Sequence, residues 1–156
     1  MTTKRKVHIG ASWTLVVICM GAIFYLSAQV ASDSQELSDS IIRKIFEIFG
    51  IAFESDLIRS IAHCLEFMGL SVLIFNAVYI TWFLKFTPII AFLGTVLYAI
   101  TDEIHQTFVP GRASQISDIL VDSTGALIGV IASFIILKVI LYIMKRGNKN
   151  GNSKTF

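Results

Sequence analysis

The chain has 156 residues, 54% hydrophobic and only 15% charged, with a mean hydropathy of +0.72 and a formal net charge of +2. A water-soluble domain of this size still exposes roughly a third of its unfolded-chain surface, which this composition cannot cover with polar groups. A soluble globular protein is therefore excluded, and a bilayer is the expected solvent.

Four apolar segments each approach the ~20 residues a helix needs to cross the ~30 Å hydrocarbon core. The first, Ile9–Ala28, carries no charge and follows Lys4, Arg5 and Lys6. Its length exceeds the 7–15-residue apolar core of a secretory signal, so it is expected to remain as a helix. Next comes a polar stretch, Gln29–Ser60, in which Leu37, Ile41, Ile45, Ile48/Phe49 and Ala52 recur at helical spacing. That pattern predicts an amphipathic helix on the membrane surface. The second apolar segment is Ile61–Leu84, interrupted only by His63 and Glu66. The third is Pro88–Phe108, where Pro88 suits a first helical turn. The fourth is Asp118–Met144, followed by a polar tail, 145–156, expected to be flexible. Cys19 and Cys64 show no paired-thiol spacing and read as small apolar packing residues.

The expected fold is thus all-α: one integral membrane bundle of four transmembrane helices over residues 1–144, with an amphipathic surface helix between the first and second. If the four segments span, Lys4, Arg5, Lys6, Lys85, Lys138, Lys145, Arg146, Lys149 and Lys154 share one side with no acid. The other side holds Arg43, Lys44, Arg59, Arg112 and all eleven acids. The positive-inside rule then predicts a multi-pass membrane protein with both termini in the cytoplasm.

Depth explains why ionisable residues interrupt these segments. At ~1.5 Å per residue, Asp102 lies about 9 Å below Phe108, Glu66 a similar distance below Ser60, and Asp122 one turn below Asp118. The second and fourth helices run inward and the third outward, so these groups converge at one level beneath the outer surface. Arg59, His63 and Glu66 fall on one face (i, i+4, i+7), as do Asp102, His105 and Gln106 (i, i+3, i+4), with Glu103 about 100° round. The stripe of Asp118 and Asp122 continues through Gly125-x-x-x-Gly129, a small-residue pattern that lets a neighbouring helix approach closely. A charge facing lipid at depth costs ~2.5–3.5 kcal/mol, so the acids are expected to line a polar pocket or to pair with Arg59, Arg112 and the histidines. Val109-Pro110-Gly111-Arg112 reads as a type II turn holding Arg112 over that pocket. Ser114, Gln115 and Ser117 are candidate helix caps, and Ser27 and Gln29 are polar helix ends or pocket members.

These residues resemble the VanZ-like family of small bacterial membrane proteins. The matching stretches are "FYLSAQ", "RSIAHCLEFMGL" and "DEIHQTFVPGRASQISDILVDSTGALIG". The chain departs from the family at Cys64, where an aromatic is common, and at Phe67, where tyrosine is frequent. The founding member of the family is associated with resistance to the lipoglycopeptide teicoplanin, so the resemblance implies a cell-envelope role.

Two functional readings follow. In the first, Arg59, Gln106, Arg112, Asp118 and Asp122 bind a lipid-linked or lipoglycopeptide ligand, the arginines taking a phosphate or carboxylate. In the second, the chain is an intramembrane hydrolase or transferase acting on a polyprenyl-phosphate or glycolipid. His63 or His105 would then be the general base, and Glu66, Asp102 or Glu103 the carboxylic acid. His63-x-x-Glu66 and Glu103-x-His105 offer nitrogen and oxygen ligands on facing helices, which leaves a divalent cation open. They match no established ligand motif, so no cofactor is expected. A purely architectural role, in which the cations only neutralise the acids, needs fewer polar groups than are present. Four helices without an ionisable residue at midplane fit a transporter poorly. Membrane lipid is an expected partner and nucleic acid is not.

Overall fold

The computed structural model describes residues 2–29, 31–50, 54–83, 85–110 and 115–152. In hydrocarbon every backbone amide must find a partner within the protein, and a helix does so locally. Among the described residues there are five helices and no strand: α1 Thr3–Ser27, α2 Ala31–Phe49, α3 Ser55–Trp82, α4 Thr87–Gln106 and α5 Ile116–Asn152. All but α2 are long and apolar enough to cross a membrane.

Helix ends differ from the apolar limits for a physical reason. Hydropathy marks the edge of the oily zone, whereas the backbone helix continues into polar surroundings. Thus α1 takes in Lys4–Lys6, α3 begins six residues before Ile61, and α5 continues past Met144 to Asn152. The amphipathic segment is helical from Ala31; Ala52 lies outside the described residues. Gly50 closes α2 with φ +67°, its N–H donating to the Phe46 carbonyl at 2.8 Å, a left-handed stop that glycine adopts at least cost. Pro88 sits in the first turn of α4.

Helix α3 is the hub. It touches α1, α2, α4 and α5, whereas α1 and α5 do not meet among the described residues. Val16 and Ile23 of α1, Phe67 and Leu70 of α3 and Ala99 of α4 form one buried cluster; Phe75, Ala91 and Val130 form another, between α3, α4 and α5. Large side chains elsewhere, such as Val17, Leu97 and Leu120, are exposed, as befits surfaces solvated by lipid.

Cross-helix contacts set the directions. Arg5 caps the end of α3, donating to the Thr81 carbonyl at 3.2 Å and the Ile80 carbonyl at 3.4 Å, and lies over the Phe83 ring. Trp13 Nε1 donates to Thr81 Oγ1 at 3.1 Å. At the opposite end, Ser27 meets Asp102 and His63 meets Asp122. So α1 and α4 run one way, and α3 and α5 the other. One end of the bundle carries Lys4, Lys6 and Lys85; the other, the polar end, gathers the buried acids.

The Tyr98 hydroxyl donates to the Met20 carbonyl at 2.6 Å, tying α4 to α1 below that end. Tyr98→Phe is expected to lower stability by about 0.5–1.5 kcal/mol, measured by reversible unfolding in detergent.

Candidate functional site

The site is assembled from the polar ends of α1, α3, α4 and α5. Asp102 and Glu103 are neighbours in sequence, so on a helix they point about 100° apart. Asp102 turns to α1, accepting a hydrogen bond from Ser27 Oγ at 2.7 Å and another from Gln106 Nε2 at 3.1 Å. Glu103 turns to α5, its Oε2 accepting the backbone N–H of Gln115 at 3.0 Å. A carboxylate thus meets the residue that opens α5, where the helix dipole favours negative charge. Ser27, Asp102, Glu103, Gln106 and Asp122 are all at most 3% exposed.

Helices α3 and α5 form the other half. Gly125 lies on the backbone of Cys64, and Gly129 on Met68 and Ser71. A methyl group built on Gly125 would collide with the Cys64 carbonyl, and one on Gly129 would reach 2.5 Å from the Met68 oxygen. This close approach carries Asp122, one turn earlier on α5, against α3. His63 Nδ1 stands 3.8 Å from Asp122 Oδ1, beyond hydrogen-bonding distance. Asp122 is fully buried, and neither of its carboxylate oxygens has a hydrogen-bond partner. Asp102, Glu103, Asp118 and Glu66 all lie within electrostatic range of it, so the acids of three helices converge. A narrow cleft of about 10 Å³ is lined by Arg59, Ser60, His63, Asp118 and Val121.

The comparisons with known proteins decide the family. A model described as VanZ/LLP1 matches residues 12–140, four fifths of the chain and every site residue named above. The chain belongs to the VanZ/LLP1 family. No curated protein and no solved structure matches it.

Within this VanZ-family membrane protein, the sequence-derived candidates take separate places. Arg59, His63 and Asp118 share the cleft, and Asp122, which does not line it, lies 3.8 Å from His63. Asp102 and Gln106 form a unit with Ser27, and Glu103 holds the start of α5. Glu66 is half-buried, within electrostatic range of both Asp122 and Cys19. His105, one turn from Asp102, meets the same helix: its ring lies against Phe24 of α1 with centroids 4.1 Å apart. Arg112, Gly111 and Ser114 lie outside the described residues. Among the described residues, no three His, Cys, Asp or Glu side chains group as a metal-ligand set.

Sequence reasoning underweighted Ser27 and missed Ser60. Ser27 is the buried partner of Asp102, and its signal is the "YLSAQ" stretch that closes the first apolar run. Ser60 lines the cleft; it stands one residue before the apolar run, where hydropathy sees only a boundary.

Proposed function

We propose that this VanZ-like chain is a cell-envelope protein of the bacterial cytoplasmic membrane, with both termini in the cytoplasm. Its polar end faces the outer leaflet and binds a lipid-linked or lipoglycopeptide ligand, teicoplanin being the lipoglycopeptide tested first. The observation that carries the reading is the pairing of a wholly buried Asp122, without hydrogen bonds, with an adjoining cleft edged by Arg59, Ser60, His63 and Asp118. Burying a carboxylate without hydrogen bonds is costly, and that cost is characteristic of sites completed by a ligand. Orientation rests on the basic residues, because Lys4, Arg5, Lys6, Lys85, Lys138, Lys145 and Arg146 belong to the opposite side.

The test uses purified protein in nanodiscs, titrated separately with teicoplanin and with a polyprenyl phosphate. At least one is expected to raise the melting temperature, and Arg59→Ala to weaken its binding by about 10–100-fold, the value of a charge-assisted hydrogen bond. Absence of any shift with either ligand rejects the reading.

The His63–Asp122 pair favours one alternative: an intramembrane hydrolase or transferase acting on a polyprenyl-phosphate or glycolipid. His63 stands 3.8 Å from the Asp122 carboxylate; closing to hydrogen-bonding distance would let that carboxylate orient the imidazole as a general base, and His63, unlike His105, lines the cleft. Turnover of a polyprenyl-phosphate sugar by the purified protein, abolished in a folded His63→Ala variant, would establish it.

A further inference from the structure

We propose that a groove between α3 and α5, in the basic half of the bundle, holds one acyl chain of an anionic phospholipid. The phosphate of that lipid lies among the cations at the groove's mouth. This site is at the opposite end from the polar-end cleft and does not depend on the reading given to that cleft.

The groove follows from how the two helices cross. Gly125 and Gly129 bring α5 onto the backbone of α3 at Cys64 and Met68. Further along the same stripe α5 carries Ser133 and then Leu137, while α3 offers Phe75 and Tyr79, and side chains of that size hold backbones further apart. There a groove of about 270 Å³ opens, lined by Val72, Phe75 and Tyr79 of α3 and Ser133, Ile136 and Ile140 of α5. An apolar cavity of ~150 Å³ takes a benzene ring, so in proportion this groove takes a chain segment of on the order of ten carbons.

The lining selects hydrocarbon. Ser133 Oγ donates to the Gly129 carbonyl at 2.8 Å and Asn76 Nδ2, also at the groove, to Ser12 Oγ at 3.3 Å, so both are engaged within the protein. The rest is aliphatic and aromatic, apart from the hydroxyl of Tyr79. That residue stands three positions before the end of α3, where tyrosine meets the headgroup region.

Charge decides which lipid. Residues 1–28, 70–100 and 125–156, which build this half of the bundle, contain no acid. Arg5 lies over the Phe83 ring, one turn past Tyr79, and Lys145 and Arg146 follow Ile140 on α5. Each cation at a membrane surface favours an anionic headgroup by about fivefold. The same charge disfavours a second copy as the occupant, because a copy in the same orientation would set its own basic end beside this one at the same depth.

The experiment reads which lipid stays with the protein. Full-length protein in nanodiscs of equal parts phosphatidylcholine and phosphatidylglycerol, with matched chains, is released into native mass spectrometry. One phosphatidylglycerol is expected on the monomer, favoured over phosphatidylcholine by about tenfold. Lys145→Gln with Arg146→Gln should reduce that preference to below about threefold. Ser133→Phe, which fills the groove, should remove the retained lipid with every cation in place. Val72→Trp, from the exposed edge of the groove, tests the same point if Ser133→Phe fails to fold. Equal retention of the two lipids, or retention of neither, overturns the proposal. So does a phosphatidylglycerol preference that survives either the filled groove or the loss of both cations. A lipid-free dimer that Ser133→Phe dissociates assigns the groove to a second copy and also overturns it. Failure of teicoplanin and polyprenyl phosphate to bind rejects the polar-end reading alone and leaves this site standing.

Discussion

Gly125→Ala is expected to destabilise the bundle by about 1–3 kcal/mol, and Gly125→Leu to prevent its assembly. The added methyl group meets the backbone carbonyl of Cys64, with the Cys64 carbonyl carbon 2.9 Å away, and backbone cannot swing aside as a side chain can. Relief therefore requires α3 and α5 to separate, with loss of packing along the seam below. Gly94→Ala is the control: nothing lies within 4 Å of its built Cβ, so the protein should tolerate it with stability unchanged or slightly raised. Reversible unfolding in detergent measures the difference. Because α5 carries Asp122 and Asp118, the alanine variant should also lose affinity for whatever ligand the polar end binds. Equal stability of the two alanine variants would contradict the crossing described here.

Asp102 gives the second large effect. Two donors, Ser27 Oγ and Gln106 Nε2, converge on its Oδ2, and all three residues are buried. Asp102→Ala strands both donors, and leaving buried polar groups unpaired costs about 1–3 kcal/mol each. A loss of about 2–4 kcal/mol is expected, allowing for partial relaxation. Asp102→Asn retains an oxygen at that position and should lose only about 1 kcal/mol. Ser27→Ala removes one of the two bonds and should fall between them. If asparagine were as damaging as alanine, charge rather than hydrogen bonding would be what Asp102 contributes.

The four spanning helices and the amphipathic segment were legible because lipid imposes a length and a composition on anything that crosses it. The common level of the acids was legible too, since depth follows from residue number once direction is known. What the sequence left open were partners between helices. Helical spacing puts Asp102 and Gln106 on one face but says nothing of Ser27, 75 residues away. Nor does it name what that face meets: Phe24, against which the His105 ring lies, is 81 positions away in the chain. Gly125 and Gly129 announced a close approach, and only the packed helices reveal Cys64 and Met68 as what is approached. Boundaries were misplaced where polar residues continue a helix past the oily zone, at Lys4–Lys6 and at Asp56–Ser60.

The hub position of α3 has a consequence for biogenesis. Segments leave the ribosome in chain order, so α1, α3 and α4 can associate while α5 is still being made. During that interval Glu103 lacks the Gln115 amide, and the surface around Cys64 and Met68 faces lipid. The late arrival of α5 closes both gaps in one step, and a polypeptide truncated after α4 would display them to the quality-control proteases of the membrane.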